Sequence, residues 1–205
     1  YTGEDTLSLH DALPIYIKVD QNGNLGITSS NTPVKVGNLD ADFNLGWTNH
    51  FTYKGIDLGV VLSARVGGLA YSATQGILDY YGVSETSATA RDNGGIPINN
   101  GKVNAQKYYQ TIGTGEGGYG RYYLYSATNV RLQELSLNYT LPKRWFKNVA
   151  NVTLGIVGRN LWMIYCKAPF DPELSASTSS NYYMNVDYFM QPSLRNFGFN
   201  VKVQF

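Results

Sequence analysis

Strict alternation between apolar and polar residues over two long stretches restricts the fold of this chain more than any other feature of its sequence. In residues 43–53 every odd position except Asn49 is apolar, and in residues 56–66 every even position is apolar. Because successive residues of a strand point to opposite faces, each stretch predicts a β-strand with one apolar and one polar face. Membrane-spanning strands need about 9 to 11 residues, which both stretches reach, whereas strands of soluble proteins average about five or six.

Three later segments repeat this alternation. Residues 152–162 and 197–205 predict two further strands, and the second of these is the most regular in the chain. Residues 130–140 predict another strand, whose early half is less regular and is expected to hold a β-bulge. Residues 16–19 are expected to end one more strand, so the chain supplies about six strands, too few to close a large barrel alone.

The connections between these strands alternate in length. Lys54-Gly55 and the segment around Pro142 are short, whereas residues 68–128 and 164–193 are long and rich in Gly, Ser, Asn and Tyr. Outer-membrane barrels have short periplasmic turns and long extracellular loops. We therefore predict an all-β fold, the C-terminal part of a large antiparallel transmembrane β-barrel, with the long connections outside the cell.

The composition agrees with a membrane barrel. Charged residues make up 15% of the chain, against about a quarter in a typical soluble domain, and there are 17 tyrosines and 22 glycines. The sequence has no run of 18 apolar residues, and hence no segment that reads as a transmembrane helix. The net charge of +1 argues against a nucleic acid partner, and the single cysteine, Cys166, excludes an internal disulfide framework.

Few residues are suited to catalysis or metal binding. Outside residues 1–15 the only histidine is His50, which the alternation places on the polar, lumen-facing side of its strand. A nucleophilic site with Asp42 or Asp57 is conceivable, but a solvated lumen residue is the simpler interpretation. One histidine and one cysteine cannot build a zinc site of the usual type. We therefore predict that the chain is not an enzyme and has no catalytic site, cofactor or metal.

Residues 1–15 are expected to be foreign to the protein. The segment from Thr6 to Ile15 resembles one reading frame of a widely used DNA-sequencing adapter, although a short amphipathic helix is the alternative. We exclude residues 1–15 as an artefact and assign residues 16–205 to the barrel. An exported protein needs a signal peptide, which the sequence does not show, so we expect the natural N-terminus to be missing.

Short motifs in residues 129–205 resemble the SusC/RagA family of TonB-linked outer-membrane proteins. They are Val130-Arg131-Leu132, Leu135 to Pro142, Gly158-Arg159-Asn160-Leu161, Asp171-Pro172-Glu173, Pro192 to Val201, and the terminal Phe205. Each motif is weak alone, but their order and spacing are specific. The residues that carry the resemblance are Arg131, Leu132, Tyr139, Pro142, Arg159, Asn160, Leu161, Asp171, Pro172, Glu173, Arg195 and Phe205.

The resemblance implies a plugged barrel of about 22 strands in the bacterial outer membrane, in contact with its lipid. Such proteins bind a SusD-like surface lipoprotein and import oligosaccharides or peptides with energy from TonB. TonB is expected to act through the family's N-terminal part, which this chain lacks. Where the family often has an Asp-rich, Gly-containing loop, this chain has Asp20-Gln21-Asn22-Gly23-Asn24. A calcium loop needs Gly at its sixth position and an acid at its twelfth, and these positions are Leu25 and Asn31, so a plain Asn-Gly turn is predicted.

Paired tyrosines in the long connections are the candidate contacts for a substrate or for the lipoprotein lid. They are Tyr80-Tyr81, Tyr122-Tyr123 and Tyr182-Tyr183. Packing of one loop on another is the alternative role. The alternative function for the whole chain is a non-transporting outer-membrane or secreted β-protein that acts as a binding or adhesion module. A barrel enzyme would need His and acidic residues clustered near the barrel mouth, and the sequence offers one mid-strand His.

Overall fold

The computed structural model describes residues 17–19, 25–27, 35–98, 101–113, 121–147, 149–174 and 185–204. The expectations for residues 1–15, for the Asn-Gly turn, and for Tyr182, Tyr183 and Phe205 lie outside these ranges. The chain divides into two compact units. The wall unit comprises Asp40–Gly68, Ser126–Leu174 and Gln191–Phe205, and the loop unit comprises Tyr1–Leu39, Leu69–Tyr125 and Ser175–Met190.

The described elements are numbered in chain order. They are β1 (Ile17–Val19), β2 (Leu25–Ile27), β3 (Phe43–Tyr53), β4 (Ile56–Val66), β5 (Leu69–Ser72), α1 (Ala73–Tyr80), α2 (Glu85–Asp92), β6 (Ile96–Ile98), β7 (Gly101–Val103), α3 (Ala105–Gly113), β8 (Leu124–Ser126), β9 (Asn129–Thr140), a 3₁₀ turn (Lys143–Phe146), β10 (Asn151–Cys166), β11 (Val186–Asp187) and β12 (Asn196–Gln204).

The wall unit is one antiparallel sheet of five long strands, in the order β12-β10-β9-β4-β3. The β3–β4 hairpin pairs in continuous register from Phe43↔Val66 to Tyr53↔Ile56. Its tight turn needs positive φ at both central positions, and Lys54 and Gly55 have φ of 46° and 86°. The strands predicted from the alternation are therefore confirmed, with β10 longer than expected by several residues.

The predicted bulge in β9 is confirmed at Gln133. In the pairing with β4, Glu134 lies opposite Val61 and Leu132 lies opposite Leu62, so Gln133 is an extra residue. Between the bulge and the short turn, in residues 134–140, the odd-numbered residues of β9 share a face with the even-numbered residues of β4. On the other side of the bulge, in residues 129–132, the even-numbered residues of β9 share that face. The bulge thus turns Asn129 and Arg131 towards the polar face of the sheet.

The sheet exposes its apolar face. That face carries large side chains that would be buried in a soluble protein, with Phe199 82% and Phe197 79% exposed. The exposed members of this outer face are Phe43, Leu45, Trp47, Phe51, Tyr53, Ile56, Leu135, Leu137, Tyr139, Leu154, Ile156, Trp162, Phe197, Phe199, Val201 and Val203. The other face carries polar and small residues, among them Asn138, Gly155 and Asn200, which lie in one cross-strand row.

The loop unit contains three short helices in a region that the sequence predicted only as a long connection. Ser72 caps α1, since its Oγ accepts a hydrogen bond from the Gln75 backbone N at 3.1 Å, and Ser84 caps α2 through the Ser87 N at 3.0 Å. Each cap satisfies a backbone N–H that has no partner within its helix. A small core forms around Ile112 and Tyr123.

The segment predicted to end a further wall strand has a different partner. Residues 17–19 form β1, which pairs antiparallel with β2 and not with the wall sheet. Within the described residues the wall therefore has five of the about six expected strands. None of the described helices is long and apolar enough to cross a membrane.

Candidate functional site

Four of the family-motif residues converge in the wall unit. The Arg131 guanidinium donates from Nη2 to Asp171 Oδ1 at 2.6 Å and from Nη1 to Asn160 Oδ1 at 2.9 Å. Glu173 Oε2 lies 3.5 Å from Nη2. Ser193 Oγ receives a hydrogen bond from Nη1 at 3.2 Å and also donates to Asp171 Oδ2. We call these five residues the arginine cluster; it joins β9, β10 and both ends of the connection between β10 and β12.

The Arg131–Asp171 pair at the centre of the arginine cluster is shielded from solvent, whereas Glu173 and Ser193 are exposed. The side chains of Arg131 and Asp171 are only 4% and 7% exposed. Burial raises the pKa of the Asp171 carboxyl, but hydrogen bonds from Arg131, from Ser193 and from the Glu173 backbone outweigh it and bring the pKa below its ordinary value. Arg131 is therefore held in a buried ion pair that hydrogen bonds largely satisfy, the arrangement in which loss of one partner is most damaging.

Backbone irregularities place these side chains. The bulge at Gln133 turns Arg131 inward, and β10 accommodates it with two residues, Asn160 and Leu161, that fall between its paired positions. Asn160 has φ of 53°, a left-handed conformation that Asn tolerates better than most residues. A Cβ on Gly158 would lie 2.7 Å from the Leu161 side chain, so a larger residue at this position would require that side chain to move.

Most of the remaining motif residues lie in the wall sheet or next to it. Leu132 and Tyr139 belong to the outer face, where Leu132 lies opposite Trp162. Arg159 donates to Glu134 at 2.8 Å on the opposite face. Pro142 precedes the 3₁₀ turn. Pro172 lies between Asp171 and Glu173 in the sequence and is fully buried, whereas Arg195 is exposed.

The loop unit contains a cleft of about 550 Å³ that includes two of the candidate tyrosines. Tyr80 and Tyr81 form one side, with ring centroids 5.1 Å apart and nearly perpendicular planes. Tyr81 is 72% exposed. Arg91 and Gln106 contribute a guanidinium and an amide to the same cleft. Aromatic rings beside such planar polar groups can contact either a sugar or a peptide.

Asp79 lies at the floor of this cleft and organises the unit. Its Oδ1 accepts hydrogen bonds from Gln75 Nε2 at 3.0 Å and Thr86 Oγ1 at 3.1 Å, and its Oδ2 accepts one from the Tyr123 hydroxyl at 3.0 Å. These bonds connect α1 with α2 and with the segment before β8. Burial, followed by the charge of Asp79, raises the pKa of Tyr123 well above its ordinary value.

The candidate tyrosines therefore occupy different environments. Tyr123 is 2% exposed and packs in the core, whereas Tyr122 is 38% exposed. No sequence pattern indicated the role of Asp79, because its main partners lie 7 and 44 residues away along the chain. Ser72, Ser84 and Asn104 are capping residues at the starts of the three helices, but residues of these types are also common in loops.

His50 and Asp57, which were considered for catalysis, are exposed neighbours on the wall sheet. His50 Nδ1 lies 3.8 Å from Asp57 Oδ1 on the polar face, with both side chains well exposed. The described part of the chain has no group of three or more His, Cys, Asp or Glu residues placed to hold a metal ion. Cys166 is a half-buried free thiol whose Sγ lies 3.4 Å from the Ala168 carbonyl oxygen.

No protein-family model matches the chain. Among curated proteins, it is 26% identical over 193 residues to TonB-dependent receptor P3 of Formosa agariphila. The match covers 91% of this chain and 18% of that receptor. The chain thus corresponds to less than a fifth of the length of its relative.

Solved structures of the RagAB peptide importer share the fold. The open-open state matches with a TM-score of 0.63 and 17% identity, over 93% of this chain and 20% of the matched chain. The closed-closed state matches with a TM-score of 0.59 and 19% identity, over 91% and 20%.

The long antiparallel strands, the exposed apolar face and these structural matches define a sector of an outer-membrane β-barrel. The sequence and structure matches together confirm the predicted resemblance of the chain to the SusC/RagA type of TonB-dependent receptor. The matched proteins are receptors and importers, in agreement with the prediction that the chain is not an enzyme.

Proposed function

We propose that this chain forms part of the barrel wall of a receptor that imports oligosaccharides or peptides across the bacterial outer membrane with energy from TonB. The observation that carries the proposal is the outer face of the wall unit, where Phe197, Phe199 and Ile156 are at least 60% exposed although they are strongly apolar. In a barrel such a face is satisfied by lipid, and the opposite face lines the lumen. The match to a TonB-dependent receptor supports transport as the role of that lumen.

The described connections favour an orientation. The turns at Lys54-Gly55 and after Thr140 are short, whereas the chain between β4 and β9 contains the three helices. Short turns face the periplasm in barrels of this class. We infer that the loop unit is extracellular, and that a SusD-like lipoprotein covers the barrel on that side. TonB would act through a part of the receptor outside this chain.

Within this function, the cleft at Tyr80 and Tyr81 is the proposed contact for the imported molecule or for the lipoprotein. Tyr81 is the most exposed aromatic residue of the cleft and follows the last residue of α1. Tyr122 is a second candidate, while Tyr123 has its hydroxyl occupied by Asp79.

The test is an uptake assay on the source bacterium with the full-length receptor gene deleted and then restored. We expect the deletion to abolish uptake of one labelled oligosaccharide or peptide class, and a protonophore to abolish it in the restored strain, because TonB transmits the proton gradient. Restored surface binding without energy-dependent uptake would show an adhesion module instead. A Tyr81→Ala receptor at normal surface levels should take up substrate more slowly than a Tyr188→Ala control, since Tyr188 is similarly exposed but lies outside the cleft.

A further inference from the structure

Four cations lie at the short-turn end of the wall unit. Lys54 is in the β3–β4 turn, and Lys143, Arg144 and Lys147 are in the turn between β9 and β10; all four are exposed. No Asp or Glu occurs in residues 139–155 of the sequence, and Asp57, three residues after Lys54, faces His50 on the polar side of the sheet. We call these four residues the basic rim.

The two turns of the basic rim are neighbours. Strand β4 pairs with β9, and Ile56 lies opposite Tyr139. The Thr140 backbone N donates to the Gly55 carbonyl oxygen at 2.7 Å, so the end of β9 is hydrogen-bonded to the β3–β4 turn. The cations therefore belong to one continuous edge of the sheet.

The basic rim borders the outer face and not only the lumen. Lys54 Nζ lies 5.1 Å from the centroid of the Tyr53 ring, and Tyr53 is an outer-face residue that is 67% exposed. Tyr53, Ile56 and Tyr139 form one cross-strand row at the end of the sheet next to the β3–β4 turn. Trp145, between Arg144 and Phe146 in the 3₁₀ turn, is 63% exposed. The order from the apolar face, through aromatic rings, to cations matches the order of environments from hydrocarbon to headgroups.

Two of the cations occupy backbone positions that do not favour lysine. Lys54 and Lys147 have φ of 46° and 51°, in the left-handed region where Gly and Asn are preferred. The turn geometry therefore does not account for a long cationic side chain at either place.

We propose that the basic rim binds the phosphate groups of anionic phospholipids in the leaflet on the short-turn side. The proposal rests on the proposed function, because it requires the outer face to be in a bilayer. Lys ammonium groups attract phosphate as point charges, and the Arg144 guanidinium can bind one in bidentate fashion. A lipid is favoured over a free anion because the cations are exposed on an edge continuous with an apolar face, where an acyl chain can lie beneath its own headgroup.

The experiment uses the full-length receptor in bilayers of phosphatidylcholine with a minor fraction of spin-labelled phosphatidylglycerol. We expect the wild type to associate with the anionic lipid more strongly than with labelled phosphatidylcholine. Lys54→Gln alone should weaken that association about fivefold, and replacement of all four cations by Gln should remove the preference. Lys54→Arg and Lys147→Arg should retain it.

The matched control replaces Lys35, Arg91, Lys102 and Lys107 by Gln, which removes the same charge from exposed positions of the loop unit. Equal anionic preference in this control and the wild type is expected; loss of preference in both sets would assign the effect to net charge and overturn the proposal. So would an unchanged preference in the four-site rim variant, or full displacement of the lipid by inorganic phosphate at constant ionic strength. A receptor that never inserts into the bilayer would instead refute the proposed barrel function.

Discussion

The wall unit and the loop unit distribute apolar residues in opposite ways. When glycine and proline are left out, six of the seven buried apolar residues among those described lie in the loop unit, namely Ala70, Ala90, Val103, Ala105, Ile112 and Tyr123. The wall unit contributes only Ala127 to that set, yet it carries most of the exposed large hydrophobic side chains. The loop unit is organised like a small water-soluble domain, and the wall unit like a structure surrounded by lipid.

Each unit nevertheless contains a buried charged residue that connects distant segments. In the loop unit Asp79 accepts hydrogen bonds from three neutral side chains. In the wall unit Arg131 is paired with two carboxylates and two neutral groups. The surrounding solvent therefore determines which face of each unit carries the apolar side chains, while specific polar bonds fix the connections in both units. The following predictions test that distinction.

The largest effect is expected from Arg131→Met. The substitution leaves the buried Asp171 carboxylate without its cation, and breaking a buried pair in this way costs about 3 to 5 kcal/mol. The readout is the temperature at which the full-length receptor in detergent loses its folded, fast-migrating form on a gel. We expect a clear decrease.

Arg159→Met is the matched control for that experiment. Arg159 and Glu134 are 2.8 Å apart, similar to the 2.6 Å between Arg131 and Asp171, but their side chains are 67% and 31% exposed. An exposed pair contributes about 0 to 1 kcal/mol, so little change is expected. Equal losses for the two variants would show that burial is not what distinguishes them.

A slightly smaller effect is expected from charge on the outer face. Val201→Lys places an ammonium group among lipid tails, which costs about 2 to 4 kcal/mol near the bilayer midplane. Lys202→Val, one residue along β12, changes the opposite face and should be tolerated better. The measurement is the amount of full-length receptor in the outer membrane at equal synthesis. Similar amounts for both variants would mean that the two faces of β12 have been interchanged or that β12 is not in a bilayer.

Asp79→Ala should disturb the loop unit alone. It leaves the Tyr123 hydroxyl, Gln75 and Thr86 without their acceptor, and an unsatisfied buried donor costs about 1 to 3 kcal/mol. Hydrogen exchange should become faster in α1, α2 and α3 and stay unchanged in β9 and β10. Asp92→Ala, at a side chain that is 70% exposed, is the control and should alter neither region. Faster exchange throughout the wall strands would contradict the independence of the two polar clusters.

The smallest effect is expected from acid. The folded-state pKa of Asp171 is below its ordinary value of 3.8, so its ionised form stabilises the fold. This contribution is complete above the ordinary pKa and is lost as the pH falls through the lowered one. The wild type should therefore lose thermal stability below about pH 4 by more than Asp171→Asn does. A parallel decline in the two proteins would show that Asp171 does not contribute to the acid response.

The sequence predicted the wall unit well and the loop unit poorly, for physical reasons. Strands β3, β4 and β12 are long enough for the period of two to be unmistakable, and the broken alternation near Gln133 indicated the bulge. Helices of eight or nine residues, as in α1 to α3, show too few turns for a period of 3.6 to stand out. Their start signals are Ser and Asn, which also favour loops.

The candidate sites show the same difference between local patterns, which the sequence displays, and long-range contacts, which it does not. Family motifs drew attention to Arg131, Asn160, Asp171 and Glu173, but no pattern in the sequence indicated that these residues meet, because the contacts span 29 to 42 residues. Two of the paired tyrosines, Tyr80 and Tyr81, line the cleft, while Tyr123 is buried and hydrogen-bonded to Asp79, 44 residues away. Local patterns report which face a residue occupies, and long-range partners decide what it does there.

The bulge at Gln133 also determines which deletions β9 can absorb. Because Gln133 has no place in the ladder with β4, removing it would leave Glu134 and Leu132 on the faces they already occupy. Removing Ser136 instead would send Leu135 to the lumen and Glu134 to the lipid, until the spare residue at 133 restored the phase. The bulge therefore limits the effect of a one-residue deletion in β9. If the deletion lies between the bulge and the short-turn end, only the residues of that interval change faces, and Arg131 keeps its position.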